Sequence, residues 1–341
     1  MAIRVLVVDD SATARAIITE ILSKEPDIEV IATATDAYVA RDKIVALKPD
    51  VITLDVEMPR MDGVTFLRKM MAHVPTPTIM VSSLTKKGAQ VTLDALDAGA
   101  IDFVAKPHSY IHDARDEIEK ELVEKVRMAS HTKVTKKEPK VAAQKAHVRA
   151  LAETTHKVIA IGSSTGGTEA LRKLLMQMPR NSPGIIIVQH MPGSFTGAFA
   201  SRLNAQCEIE VKEAKNQDRI RVGQALLAPG DFHMVVRRSG GTYYVEIGEG
   251  KKVSGHKPSV DVLFNSVAKN VGANAVGIIL TGMGSDGAKG MKHMKQSGAK
   301  NIAQDEKSCV VFGMPKVAIE LGGVDEVLPL EKIAQKALQF I

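Results

Sequence analysis

The chain reads as two consecutive doubly wound α/β domains, and three observations carry that reading. Short, continuous apolar runs alternate with amphipathic stretches, the pattern of parallel strands buried on both faces and joined by crossover helices. Each run ends in an acidic, polar or glycine-rich turn, the place where open α/β sheets gather their ligands. The length, 341 residues, suits two domains of about 150 residues, each with a sizeable core.

The N-terminal elements follow in order. Ile3-Arg4-Val5-Leu6-Val7-Val8 runs straight into Asp9-Asp10-Ser11. Val51-Ile52-Thr53-Leu54 ends at Asp55, and Thr78-Ile79-Met80-Val81 ends at Ser82-Ser83. Val104-Ala105 precedes Lys106-Pro107, where proline suits a turn. Amphipathic stretches near 12–23, 36–47, 62–72, 88–98 and 113–126 supply the crossover helices of a five-stranded doubly wound domain. Acids gathered at one strand-end edge can hold a hard divalent cation such as Mg²⁺, which takes oxygen ligands and would neutralise an incoming phosphoryl group. With Asp55 as acceptor, Lys106 can pair with that group and the Ser82 hydroxyl can donate to it. The bland alternative is a solvated loop edge.

In the C-terminal half, Val158-Ile159-Ala160-Ile161 leads into Gly162-Ser163-Ser164-Thr165-Gly166-Gly167. The spacing Gly162-x-Ser164-x-Gly166 permits a tight strand-to-helix turn with the Ser164 hydroxyl exposed above the strand, as in a nucleophile elbow. Ile185-Ile186-Ile187-Val188 is followed by Gln189-His190, and Ala275-Val276-Gly277-Ile278-Ile279-Leu280 by Thr281-Gly282-Met283-Gly284-Ser285-Asp286-Gly287. Three strand ends thus deliver a serine, a histidine and an aspartate. A serine hydroxyl becomes a nucleophile when an imidazole accepts its proton and a carboxylate fixes the imidazole's tautomer. The chain order Ser, His, Asp differs from that of α/β-hydrolases and of both protease types.

Each residue also has a plainer reading. Asp286 can cap the helix that follows it. His233 and His256, in turns marked by glycine and proline, are alternative bases. A glycine-rich turn after a strand can cradle phosphate, but this one lacks the dinucleotide spacing and the Gly-Lys-Ser/Thr ending. Gln189-His190 stands where a ribose-binding acid belongs.

Between Lys125 and Thr155 there are eight Lys or Arg against Glu138 and Glu153, a local excess that equals the whole formal charge of +6. This assigns the basic balance to a flexible linker, not to a nucleic-acid-binding face. The expected division is a domain over 1–124, a linker over 125–155 and a second domain over 156–341. Cys207 and Cys309 have no metal-ligand neighbours at short spacing. No secretory segment opens the chain and no run approaches a membrane span, so a cytoplasm with reduced thiols is expected.

Asp9-Asp10, Asp55-Val56-Glu57-Met58-Pro59-Arg60-Met61-Asp62-Gly63, Ser82-Ser83 and Lys106-Pro107 resemble a two-component receiver domain of the flavodoxin-like fold. With the serine turn, Gln189-His190-Met191-Pro192, His256-Lys257-Pro258-Ser259-Val260-Asp261 and the Thr281–Gly287 segment, the whole chain is similar to chemotaxis protein-glutamate methylesterases. That resemblance implies a flavodoxin-like receiver followed by a Rossmann-like hydrolase domain. It implies Asp55 as phosphoryl acceptor and Mg²⁺ held by Asp10, Asp55 and the Glu57 carbonyl, with Asp9 behind them. Ser82, Phe103 and Lys106 become the sensors of phosphorylation. Ser164, His190 and Asp286 become the triad, with the Met283 and Thr165 backbone N–H groups on the oxyanion. The implied reaction is hydrolysis of glutamate γ-methyl esters, and deamidation of glutamine, on chemotaxis receptors, with no cofactor for the hydrolase step. A histidine kinase is the implied phosphodonor and a monomer the expected state. The competing expectation, a regulated interaction module, needs no turnover.

Overall fold

A computed structural model describes residues 2–83, 85–106, 112–132, 134 and 156–341. The chain divides into two compact units, 1–143 and 144–341. In the first, β1 (Ile3–Val8), β2 (Ile28–Ala34), β3 (Val51–Asp55), β4 (Thr78–Ser82) and β5 (Asp102–Ala105) alternate with α1 (Ala12–Ser23), α2 (Ala37–Leu47), α3 (Gly63–His73), α4 (Lys86–Ala98) and α5 (His112–Ser130). The sheet is parallel with order β2-β1-β3-β4-β5. Strand order reverses between β1 and β3, so the acids that end these two strands share one crevice. Local chemistry starts the helices: Ser11, Asp36, Asp62 and Thr85 each accept a backbone N–H from the first turn of α1, α2, α3 and α4.

The start of the expected linker needs correction. Helix α5 runs through Lys125 to Ser130 because Leu122, Val123, Val126 and Ala129 bury one apolar stripe against the sheet. The first members of the basic run belong to that helix. Lys125 Nζ lies 2.7 Å from Glu121 and 3.2 Å from Asp102, and it donates to the Phe103 carbonyl at 2.6 Å. Arg127 reaches Glu25 and Asp27, each at 2.6 Å. Pro107 and residues 135–155 of the linker lie outside the described residues.

The second unit holds β6 (Val158–Ser163), α6 (Gly167–Leu175), β7 (Gly184–Gln189), α7 (Gly193–Asn204), β8 (Glu210–Glu213) and β9 (Gln224–Leu227). It continues with β10 (His233–Ser239), β11 (Thr242–Gly248), α8 (Val260–Asn270), β12 (Ala275–Ile279) and α9 (Ala288–Gln296). Last come β13 (Lys300–Gln304), α10 (Met314–Glu320), β14 (Glu326–Leu328) and α11 (Leu330–Gln339). Seven parallel strands run in the order β14-β13-β12-β6-β7-β9-β8. β6, β7 and β12 are buried along their whole length, which explains their unbroken aliphatic sequences. Each buried Ile or Val contributes about 1.5–3 kcal/mol. β10 and β11 form a separate antiparallel hairpin packed under α8. This departs from a purely doubly wound plan, and a side chain added at its exposed Gly240-Gly241 tip would meet open space. No helix among the described residues is long and apolar enough to cross a membrane.

Candidate active site and acidic site

His190 and Asp286 meet beside the switch point between β6 and β12, and Ser164 stands at the end of β6 next to them in the sheet. β6 pairs with β7 on one side, Ser163 opposite Gln189, and with β12 on the other, Gly162 opposite Ile279. Ser164 and His190 are therefore the first residues beyond two matched strand ends, and the His190 N–H donates to the Ser163 carbonyl at 3.1 Å. The Ser164 N–H donates to Thr281, just past β12, at 3.0 Å. The turn closes with Gly167 N–H on the Ser164 carbonyl at 2.7 Å. Gly166 adopts φ 76°, a conformation that favours glycine.

His190 and Asp286 are joined directly, Nε2 to Oδ2, at 2.8 Å. Because an ionised carboxylate only accepts, the proton in this bond is carried by Nε2. Nδ1 is buried and makes no hydrogen bond. Asp286 is saturated with donors. Oδ2 also accepts the Val260 N–H at 2.7 Å, while Oδ1 accepts Ser259 Oγ at 2.8 Å and the Asp261 N–H at 3.1 Å. Burial pushes its pKa up, but the His190 hydrogen bond and charge, the Asp261 N–H and the Ser259 hydroxyl outweigh it and leave the carboxyl below its usual range.

The cap-only reading of Asp286 does not account for these bonds. Gly287, not Asp286, is the N-cap of α9, and Asp286 instead accepts from the first turn of α8. His233 is a structural histidine: Nε2 meets the Lys251 carbonyl at 2.9 Å and Nδ1 accepts the Ser259 N–H at 3.3 Å. His256 lies beside the candidate base, its ring stacked on His190 at 3.7 Å between centroids and 12° between planes.

Thr165 follows the serine directly in the chain. Thr281 Oγ1 donates to the Thr165 carbonyl at 3.0 Å. Gly282, next to Met283, approaches so closely that a Cβ there would lie 2.7 Å from Ser164 Cβ. Two supports were not assigned from sequence. One is Ser259, legible only as an N-cap before α8. The other is Gln189, whose Nε2 donates to the carbonyls of Ser164 (2.9 Å) and His190 (3.1 Å) while Oε1 accepts from Ser163 Oγ (2.7 Å). Space for that amide comes from Gly167, where a Cβ would stand 2.1 Å from Oε1.

In the first unit, carboxylate oxygens of Asp9, Asp10 and Asp55 lie within 4.8 Å of one another, the one such cluster found among the described residues. Asp9 and Asp55 are buried and Asp10 is exposed. Lys106 Nζ sits 2.7 Å from Asp55 and 3.0 Å from Asp9. Asp55 Oδ1 accepts the Glu57 N–H at 3.2 Å. Burial, reinforced by the charge of Asp9 and opposed by Lys106, raises the Asp55 pKa to about 6. An all-oxygen cluster of Asp9, Asp10 and Asp55, whose buried charge is met among the described residues by Lys106 alone, at 3.0 Å from Asp9 Oδ2 and 2.7 Å from Asp55 Oδ2, fits a hard divalent cation. Ser82 Oγ stands 2.8 Å from Thr92 Oγ1, and buried Phe103 lies under Lys125, 5.3 Å from ring centroid to Nζ.

Comparison with known proteins separates the same two parts. The CheB methylesterase family model matches residues 159–337, and the response regulator receiver domain model matches 5–115. A protein-glutamate methylesterase/protein-glutamine glutaminase of Sulfurimonas denitrificans is 62% identical, the match covering 100% of this chain and 99% of that protein. The protein of the same name from Salmonella typhimurium is 54% identical, covering 99% and 97% respectively. The crystal structure of the Thermotoga maritima CheB methylesterase catalytic domain is 40% identical, with a TM-score of 0.53, over 54% of this chain and 98% of that one.

Proposed function

This chain belongs to the CheB methylesterase family, and from that membership we propose that it hydrolyses glutamate γ-methyl esters, and deamidates glutamine, on chemotaxis receptors under control of its receiver domain. The observation that carries the hydrolytic reading is the His190–Asp286 bond, which leaves a buried, unpartnered Nδ1 one step beyond the Ser163–Gln189 pair. Ser164 Oγ attacks the γ-carbonyl while Nδ1 takes its proton, and Asp286 balances the imidazolium. The imidazolium returns that proton to the departing methanol, or to ammonia in deamidation. Water, deprotonated by the same nitrogen, then releases glutamate and regenerates the serine. The N–H groups of Met283 and Thr165 stabilise the tetrahedral oxyanion, each worth about 10²–10³ in rate.

Asp55 accepts phosphate from a chemotaxis histidine kinase. Asp10, Asp55 and the Glu57 carbonyl would hold Mg²⁺, with Asp9 behind them; when bound, the ion offsets phosphoryl charge. Lys106 pairs with the phosphoryl oxygens, and Ser82 and Phe103 change position in response. The unphosphorylated receiver covers the catalytic cleft, and phosphorylation shifts that balance towards the open form. The chain acts as a monomer, and its division lies at residues 1–130 for the receiver and 156–341 for the hydrolase.

The deciding experiment is methanol release from methylated receptor with Mg²⁺, with and without a small phosphodonor, beside Ser164→Ala. The expected result is serine-dependent release that the donor accelerates. Normal turnover by folded Ser164→Ala would refute the nucleophile. Deleting residues 1–150 is expected to raise basal activity; a truncated enzyme no faster than the intact unphosphorylated chain would refute occlusion.

A further inference from the structure

We propose that His256 is a positioning residue of the hydrolase, holding the His190 ring so that Nδ1 faces Ser164; this rests on the triad reading given above. His190 has one directional restraint, the 2.8 Å bond from Nε2 to Asp286. A single hydrogen bond leaves the ring free to roll about that axis. Rolling would carry Nδ1 off the serine without breaking any bond, because Nδ1 makes none. The face of His256, 3.7 Å away and within 12° of parallel, blocks that motion.

His256 can act as a wall because its own backbone is pinned. Val253 and His256 exchange two hydrogen bonds, of 3.1 and 3.0 Å, across Ser254-Gly255. Both central residues have positive φ, 53° and 82°, as a tight hairpin turn of the primed kind requires. Three residues later, Ser259 caps α8 and donates to Asp286, and the Val260 and Asp261 N–H groups follow. Residues 253–261 therefore restrain the base twice, through its flat face and through its carboxylate. No proton transfer is assigned to His256. Its contribution is the orientation of another group, so it acts on turnover and not on binding.

The test uses the full-length chain and a peptide carrying glutamate γ-methyl ester, with kcat and KM read from methanol release. His256→Ala and His256→Leu are expected to lower kcat about tenfold with KM within about twofold. His256→Phe, which restores a flat ring without a titratable nitrogen, is expected to recover kcat to within about threefold of the parent. Parent-like kcat in His256→Ala overturns the inference, as does a raised KM at constant kcat, which marks a substrate contact. So does a His256→Leu enzyme as fast as His256→Phe, which marks simple space filling. Leu and Phe fill the site alike, so their contrast survives a loss of stability in the alanine variant. Ser164→Ala, assayed in parallel, separates the two readings: an active Ser164→Ala refutes the triad, whereas an inactive one beside an unaffected His256→Ala refutes only this inference.

Discussion

Two aspartates, Asp55 at the end of β3 and Asp286 in the loop after β12, are equally buried, each 1% exposed, yet their carboxyl groups are tuned in opposite directions. Asp55 is raised to about 6 and Asp286 is lowered. Burial alone raises both. The sign is decided by what surrounds the oxygens. Asp286 faces two backbone N–H groups of α8, a hydroxyl and an imidazole, whereas Asp55 has Lys106 and the Glu57 N–H but shares its crevice with a second buried acid, and burial prevails. A permanent anion that orients a base needs the first environment. The role proposed for Asp55, accepting a phosphoryl group beside a cation, is served by the second, in which burial disfavours the bare carboxylate.

The contrast can be broken at several points. The largest expected effect is on Asp286→Asn, which cannot fix the His190 tautomer; kcat for methanol release should fall by roughly 10³–10⁴. A loss below tenfold would mean that His190 does not depend on this carboxylate. Next, Asp55→Asn is expected to hold the donor-stimulated rate at the unstimulated level, read as the ratio of the two rates. The same variant tests the raised pKa. Folded Asp55 binds its proton more tightly than unfolded Asp55, so the native state is penalised above pH 6 and relieved as pH falls towards 4. In chelator, Asp55→Asn should therefore stabilise the first unit by on the order of 2 kcal/mol at pH 7.5, and the gain should vanish near pH 4. Thermal midpoints across that range check it. Asp286 carries the opposite sign: its stabilisation is present above the ordinary carboxyl range and is lost as acid titrates the folded group. The smallest effect is Ser259→Ala, about 1 kcal/mol from the lost helix cap, with a fall in kcat as one donor leaves Asp286.

Much of this was legible in the sequence because parallel strands advertise themselves. Val158–Ile161 and Ile185–Val188 are unbroken aliphatic runs, and the residue after each is forced to the sheet's carboxyl edge. Asp9, Asp55 and Lys106 stood out for the same reason. Long-range contacts were not legible. Ser259 looks like any helix cap, since its tie to Asp286 spans 27 residues. Gln189 reads as the polar end of a strand, although its amide gathers both carbonyls beside the site. The end of the receiver is masked in the sequence, because the basic run hides the helical periodicity: Lys125 and Arg127 read as the start of a linker, whereas the fold sets Asp102, Glu121, Glu25 and Asp27 around them. The hairpin β10–β11 was hidden because its alternation is short and lies between irregular segments.

The matched ends of β6 and β7 have a consequence for how this gene can change length. Side chains alternate faces along a strand, so one residue inserted between Gly184 and Gln189 would slide His190 past Ser164 and swap the two packed faces of β7, setting each aliphatic side chain against the wrong neighbours. The ladder works as a ruler, and insertions or deletions upstream of either residue within these strands should be lethal to turnover. The exposed Gly240-Gly241 tip, where an added side chain meets open space, has no such ruler to obey. Foreign sequence spliced there should leave the hydrolase running, which makes it a natural place for an epitope or a fluorophore.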